Sequence, residues 1–410
     1  FTVIIPFGGL AFRVNLLSSF LGACVVALLY LITAGITGNA KGEPDEHPYV
    51  FRTLILAACI VFSLSGIMWS AAVASEVFML NAFFALLISC LLLFRSNHGG
   101  LYAAAFLFGL GLANQQTLLM IVPACAIAIY FNYRKILSAR TIALAAASTG
   151  LGLCIYLALP ARASVPAALN WGNPDTLERF FRVLTRADYG TFQLADTAKG
   201  GSALHFAFGQ IAHYTKNSLA YFIYVLYCTL ASGILASGGI RYIKNNNKTP
   251  VYLFLLLAFF FIGPFFIGFA RLPLDPYSIA KMERFYLLPN LFFFIMAVAI
   301  IKDGLKIKPD NSIYKRILLF VMTVVIVLLF FINAMPRILS GGGKRGDTLV
   351  RGFGSNMLKT LSPNAVLFTG GDNYSFPLAY MAIVEGMRPD VTIINDSGNV
   401  FKNWYGSDFS

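Results

Sequence analysis

Residues 76–94 read EVFMLNAFFALLISCLLLF. After the opening acid, no charge appears until Arg95. A helix needs about 20 apolar residues to cross a bilayer core, and this run has the length and composition to do so. Similar runs recur on both sides of it. They are 12–36, 51–69, 101–114, 117–132, 141–160, 217–240, 251–270, 284–301 and 317–334, so the pattern predicts about ten spans. Two boundaries are ambiguous: 51–94 is interrupted between Trp69 and Glu76, and 101–132 is broken by Asn114-Gln115-Gln116.

The composition agrees with that reading. Of 410 residues, 58% are hydrophobic and 12% charged, against roughly 25% charged in ordinary soluble domains. Mean hydropathy is +0.72. Such a chain cannot cover its core with polar surface, so a soluble globular enzyme, a disordered chain and a disulfide scaffold are all excluded. The expected fold class is an all-α polytopic membrane protein with a small α/β segment at its C-terminal end. A net charge of +13 invites nucleic acid as a partner. No basic helix or aromatic-basic stripe stands outside the apolar runs, however, so no nucleic-acid partner is expected. The six cysteines lie inside apolar runs and the four histidines are scattered, so no metal is expected.

Basic residues gather in cytoplasmic loops of membrane proteins. With the loop at 37–50 inside, the inside segments carry 14 Lys and Arg, and the outside turns carry three: Arg271, Lys281 and Arg284. This bias favours two crossings in 101–132 over one kinked span. It puts the Glu76 turn, the Asn114-Gln115-Gln116 turn, a loop at 161–216, the turn at 271–284 and the tail on one outer face. The chain thus divides into a transmembrane domain, 1–334, with an extracytoplasmic loop at 161–216, and a soluble extracytoplasmic segment, 335–410. In the tail, Ala365–Thr369 and Val391–Ile394 read as strands flanking a helix over 375–385, a small α/β unit. Gly370-Gly371-Asp372 lacks the spacing of a phosphate-binding fingerprint and reads as a strand-to-helix turn. The chain begins with Phe1 and is expected to be a fragment.

The residues able to do chemistry sit in those outer turns. Glu76 is either an acceptor-orienting carboxylate or a helix N-terminal acid favoured by the helix dipole. Asn114, Gln115 and Gln116 can bond sugar hydroxyls or satisfy frayed helix ends. Asn170 and Trp171 offer an amide and a ring face for a sugar, though Trp171 also fits an interfacial anchor. Arg179, Arg182 and Arg186 mark an amphipathic helix on the membrane surface. Arg284 opens an apolar run at the outer face, where its planar fork of donors suits a phosphate or snorkels to the interface. No ionisable residue lies in the middle of a run, which counts against ion-coupled transport.

The ordered set Arg13–Ser19, Trp69–Asn81, Gly109–Thr117, Leu159–Pro174, Arg186–Gly190, Glu283-Arg284-Phe285, Gly371-Asp372-Asn373 and Arg388-Pro389-Asp390-Val391 resembles a family of polytopic GT-C-type membrane glycosyltransferases. It is a bacterial family long catalogued as a domain of unknown function, related to a eukaryotic transmembrane protein O-mannosyltransferase. The resemblance implies transfer of a sugar, mannose-like, from a polyprenyl-phosphate carrier to an acceptor hydroxyl on protein. The reaction would take place at the extracytoplasmic face of an inner membrane, with no cofactor besides the lipid-linked donor. It implies membrane lipid and an acceptor protein as partners. The catalytic residue is unknown, because the family's acidic first loop is expected upstream of Phe1. Glu76, Asn114, Gln115, Gln116, Asn170, Trp171 and Arg284 are carried over only as substrate-binding positions. Relatives often show a His near Gln115-Gln116, which is absent here. A transporter or flippase of lipid-linked sugars is the alternative, and a non-catalytic assembly protein a third reading.

Overall fold

The structure is a computed structural model that describes residues 3–38, 48–165, 172–187, 205–217, 248–306 and 348–395, and five single positions between 324 and 339. The chain forms two compact units. The first comprises Phe1–Ile155 with Asp196–Pro336, and the second Tyr156–Ala195 with Arg337–Ser410.

Among the described residues, six helices are long and apolar enough to cross a membrane: Leu10–Thr37, Val77–Phe94, Gln116–Tyr133, Ala139–Ala163, Thr249–Ala270 and Pro276–Asp303. A seventh passes if a bent pair counts as one span. The protein is therefore a multi-pass membrane protein, but a total of about ten spans is not supported. Each of the other four expected spans has its own reason. The run 51–69 becomes two helices, α2 (Pro48–Ser63) and α3 (Gly66–Val73), meeting at 64°. The break falls at Ser65, whose side chain accepts from the Met68 N–H and starts α3 afresh. The run 101–114 forms α5 (His98–Asn114), whose 17 residues extend about 26 Å, short of a core of about 30 Å. The runs 217–240 and 317–334 lie outside the described residues, except for single positions.

Chain direction follows from contacts between helix ends. In α1 (Leu10–Thr37), Ser19 donates to the Ala72 carbonyl, and Gly35 lies against the Phe94 ring. The helix α4 (Val77–Phe94) therefore runs parallel to α1. At the far end of α4, the Tyr133 hydroxyl bonds the Leu91 and Arg95 carbonyls, and Asn132 bonds Leu92. At its near end, Asn114 bonds Val77. Hence α5 and α6 (Val122–Tyr133) run in opposite directions. The far end also holds a buried polar knot, in which Lys248 Nζ and the Tyr252 hydroxyl reach the Asp303 carboxylate at 2.6 and 2.8 Å. Next to it, Lys302 sits over the Phe51 ring. Arg95, Lys248 and Lys302 thus share one end, and Glu76, Asn114 and Arg284 the other.

Lipid gives helices no hydrophobic drive to associate, so they pack where small residues let backbones approach. In α7 (Ala139–Leu153), Gly152 meets α5 directly: a Cβ there would run into the Phe106 carbonyl and the Leu110 amide. Gly109 meets the Thr149 carbonyl in the same way, and Thr149 bonds Ala105.

In the second unit, β1 (Val366–Thr369) and β2 (Thr392–Asn395) pair in parallel, Val366 opposite Thr392. The crossover between them contains the helix Asp372–Ala379 and a π turn at Tyr380–Val384. Leu358, Leu378, Met381, Val391 and Ile393 form its core. Arg388, with φ 50°, ties the unit together. Its guanidinium donates to the Leu358, Leu361 and Ser362 carbonyls at 2.8–2.9 Å, filling orphan acceptors at the end of helix Leu349–Thr360. The same group bonds both oxygens of Asp390. That bond, with the Asn364 backbone N–H, holds the Asp390 carboxyl well below the usual range. A depressed carboxyl adds stability that is complete above its unfolded value and fades as pH falls through the folded one.

Two outcomes check this packing. Gly152→Ala is expected to destabilise the bundle by about 1–3 kcal/mol, as overpacking does. Gly150→Ala, whose Cβ would meet nothing within 4 Å, should leave thermal unfolding in detergent unchanged or raise its midpoint. In the second unit, Arg388→Ala is expected to speed hydrogen exchange at the amides of residues 364 and 392, while exchange in α4 stays as it was.

Candidate functional site

Glu76 is the residue before α4, in extended conformation, and its carboxylate makes no capping bond. It reaches instead across 208 residues of chain to Arg284, with Oε1 3.1 Å from the guanidinium. Arg284 opens the 3-10 turn Arg284–Tyr286. Its helix starts from Pro276, capped by Asp275, which accepts the Tyr277 and Ser278 N–H groups. Bonds from Ser278 first, then from the Tyr277 backbone, hold the Asp275 carboxyl below its ordinary value. Both partners of the ion pair are about half exposed, at 44% for Glu76 and 56% for Arg284. Exposed pairs contribute about 0–1 kcal/mol, so the pair brings two turns together without locking Arg284 away from a ligand.

Behind Arg284 lies a narrow crevice, partly open to solvent. Phe78, Phe285 and Phe266 form one wall, with ring centroids 5.0 Å apart for Phe78–Phe285 and 5.1 Å for Phe266–Phe285. Met120, Ile262 and Leu288 add apolar surface. Asn81, Thr117 and Arg284 are its polar members. An apolar cleft with a few placed polar groups is the usual form of a ligand site, and this one is far smaller than the pocket of a drug-sized ligand.

The structure gathers most of the residues singled out in the sequence. Asn114 donates its side-chain N–H to the Val77 carbonyl at 3.0 Å, next to Glu76. Gln115 ends α5, its backbone N–H bonding Gly111, and its side-chain oxygen is buried without a partner among the described residues. Gln116 opens the 3-10 turn Gln116–Ile121, which carries Thr117 and Met120 to the crevice. Asn170 and Trp171 lie outside the described residues. Arg179 pairs with Asp175 at 2.9 Å on the helix Leu177–Leu184, and that bond holds the Asp175 carboxyl below its ordinary value.

One feature of the sequence went unread. Residues 205–217 are helical, and Gln210, His213, Tyr214 and Asn217 recur along one face. Gln210 donates to the Leu272 and Pro273 carbonyls. His213 faces the Tyr286 hydroxyl at 3.3 Å, and Tyr214 donates to Asn290 at 2.8 Å. Asn217 donates to Glu283, the neighbour of Arg284, at 2.6 Å. The spacing of three, one and three was the available signal, since it places four polar side chains on one helical stripe. Among the described residues no group of His, Cys, Asp and Glu can hold a metal ion.

The described residues thus place an apolar crevice and a half-exposed arginine at one end of a bundle of apolar helices. Comparison with known proteins goes further. Residues 1–139 match the protein O-mannosyl-transferase TMEM260 N-terminal domain, and residues 350–409 match TMEM260-associated domain 2. The chain is 28% identical over 420 residues to the mouse (Mus musculus) protein O-mannosyl-transferase TMEM260, covering 98% of this chain and 55% of that protein. It is 24% identical over 436 residues to the Dictyostelium discoideum protein of the same name, covering 96% of this chain and 50% of that one. The chain is thus similar to the TMEM260 protein O-mannosyl-transferases over nearly its whole length, and it spans about half the length of the curated relatives it matches. No solved structure matches it.

The two ion pairs are expected to behave differently on mutation. Glu76→Gln and Arg284→Gln should each change unfolding by less than about 1 kcal/mol. Asp303→Ala strands the Lys248 ammonium in a largely buried setting and should cost about 3–5 kcal/mol. Denaturant unfolding of the three variants side by side checks the contrast.

Proposed function

We propose that the protein is a membrane glycosyltransferase of GT-C type. It moves a mannose-like sugar from a polyprenyl-phosphate carrier to a hydroxyl of an acceptor protein, at the extracytoplasmic face. The observation that carries this reading is the position of Arg284, half exposed beside an apolar crevice and held, among the described residues, by an exposed carboxylate. A lipid phosphate offers what that place lacks, an apolar chain for the Phe78–Phe285–Phe266 wall and an anion for the guanidinium. The names carried by the mouse and Dictyostelium relatives support the transfer of mannose to protein.

In this reaction the acceptor oxygen attacks the anomeric carbon, and the bond from that carbon to the phosphate oxygen breaks. The acceptor's proton goes to a carboxylate base, a role the resemblance gives to an acidic first-loop residue outside the site described here. Arg284 steadies the negative charge that develops on the departing phosphate. As the phosphate takes the guanidinium, Glu76 is released to the solvent-facing turn beside Asn114. Transfer takes place at the end away from Arg95, Lys248 and Lys302, which the positive-inside rule places in the cytoplasm.

The test is transfer of labelled mannose from polyprenyl-phosphate mannose to a Ser/Thr peptide by the intact protein in vesicles. The expected result is mannose bound covalently to a hydroxyl, with Arg284→Ala lowering kcat/KM by about 10- to 100-fold, the worth of a charge-assisted bond. Movement of the intact lipid between leaflets without sugar transfer would contradict the enzyme reading and favour a flippase.

A further inference from the structure

Asn81 is the fifth residue of α4, about one helical turn inside the membrane from Glu76. It is 5% exposed and borders the crevice behind Arg284. Its carbonyl oxygen is buried and has no hydrogen-bond partner among the described residues. A buried acceptor left unpaired is costly. Gln210, the other deeply buried amide with an unpaired oxygen, differs in kind. Its NH2 group is tied to the Leu272 and Pro273 carbonyls, so it has a structural task. Asn81 lines the crevice together with Phe78, Phe285 and Leu288, and no hydrogen bond to another part of the fold ties its side chain among the described residues.

We infer that Asn81 is a specificity-determining residue that accepts a hydrogen bond from a hydroxyl of the sugar carried on the lipid phosphate. The inference rests on the proposed donor site and adds a division of labour within it. A fully ionised phosphate oxygen can only accept hydrogen bonds, so it cannot satisfy the Asn81 carbonyl and belongs on Arg284. A sugar hydroxyl can donate. The polar groups of the crevice thus sort by chemistry, with the permanent cation at the mouth for the anion and the unpaired acceptor within for the hydroxyl. A site built to bond a hydroxyl discriminates strongly against a ligand that lacks it, because the unpaired group stays unpaired.

The experiment compares two probes, polyprenyl phosphate and polyprenyl-phosphate mannose. Their binding to the intact protein in lipid nanodiscs is measured for wild type, Asn81→Leu and Arg284→Ala, alongside thermal unfolding without lipid. Asn81→Leu is expected to keep or raise the unfolding midpoint, since it removes a stranded polar atom. It should weaken the mannose-bearing lipid at least 10-fold and leave the bare phosphate lipid unchanged. Arg284→Ala should weaken both lipids. Should Asn81→Leu fail to fold, the smaller Asn81→Ala carries the same expectation for binding. The inference is overturned if the Asn81 variants leave both affinities as they were, weaken both equally, or lower the midpoint with no selective loss of the mannose lipid. If Arg284→Ala changes neither affinity, the donor site itself fails, which is a separate result.

Discussion

Water is missing from the middle of a bilayer, and every polar group this chain carries has to be settled without it. The helices satisfy their own backbones, and the side chains able to do chemistry are driven to the helix ends. There they sort into two groups. Lys248, Tyr252 and Asp303 close on one another at one end as a compact, mostly buried knot. At the other end Glu76, Asn114, Arg284 and Glu283 meet solvent through half-open bonds. The first arrangement suits structure, because a buried pair is costly to break. The second suits recognition, because an exposed pair yields to a competing anion at little cost.

The site is therefore a product of chain direction. Parallel α1 and α4, the opposed helices α5 and α6, and the return of Pro276–Asp303 bring three turns to one end. None of the three holds a site alone. The Glu76 turn gives a carboxylate, the Gln116 turn brings Thr117 and Met120 to the crevice, and the turn before Arg284 gives the cation and the aromatic Phe285. The helix at 205–217 braces that last turn with Gln210, His213, Tyr214 and Asn217.

Much of this was legible in the sequence. Hydropathy located the six long spans, and the Asn114–Val77 and Tyr133–Leu91 bonds show that the chain reverses direction within 101–132, where the charge bias favoured a reversal. The tail's strand, helix, strand order was readable from its apolar runs. The total of about ten spans was not sound, because hydropathy registers apolar length and is blind to a break such as Ser65 or a helix as short as α5. The Glu76–Arg284 pair was out of reach for another reason: two charges 208 residues apart become partners only once helix ends meet. Asn81 was invisible as well, since an amide in an apolar run has no special look until its neighbours leave it unpaired.

The meeting of the outer turns can be measured directly. In a protein cleared of its native cysteines, Glu76→Cys and Arg284→Cys are introduced together, and their cross-linking by a short bifunctional thiol reagent is followed in membranes. The account predicts rapid cross-linking of that pair and none between Glu76→Cys and Lys248→Cys, which sit at opposite ends of the bundle. Absence of the first cross-link, or appearance of the second, would contradict it.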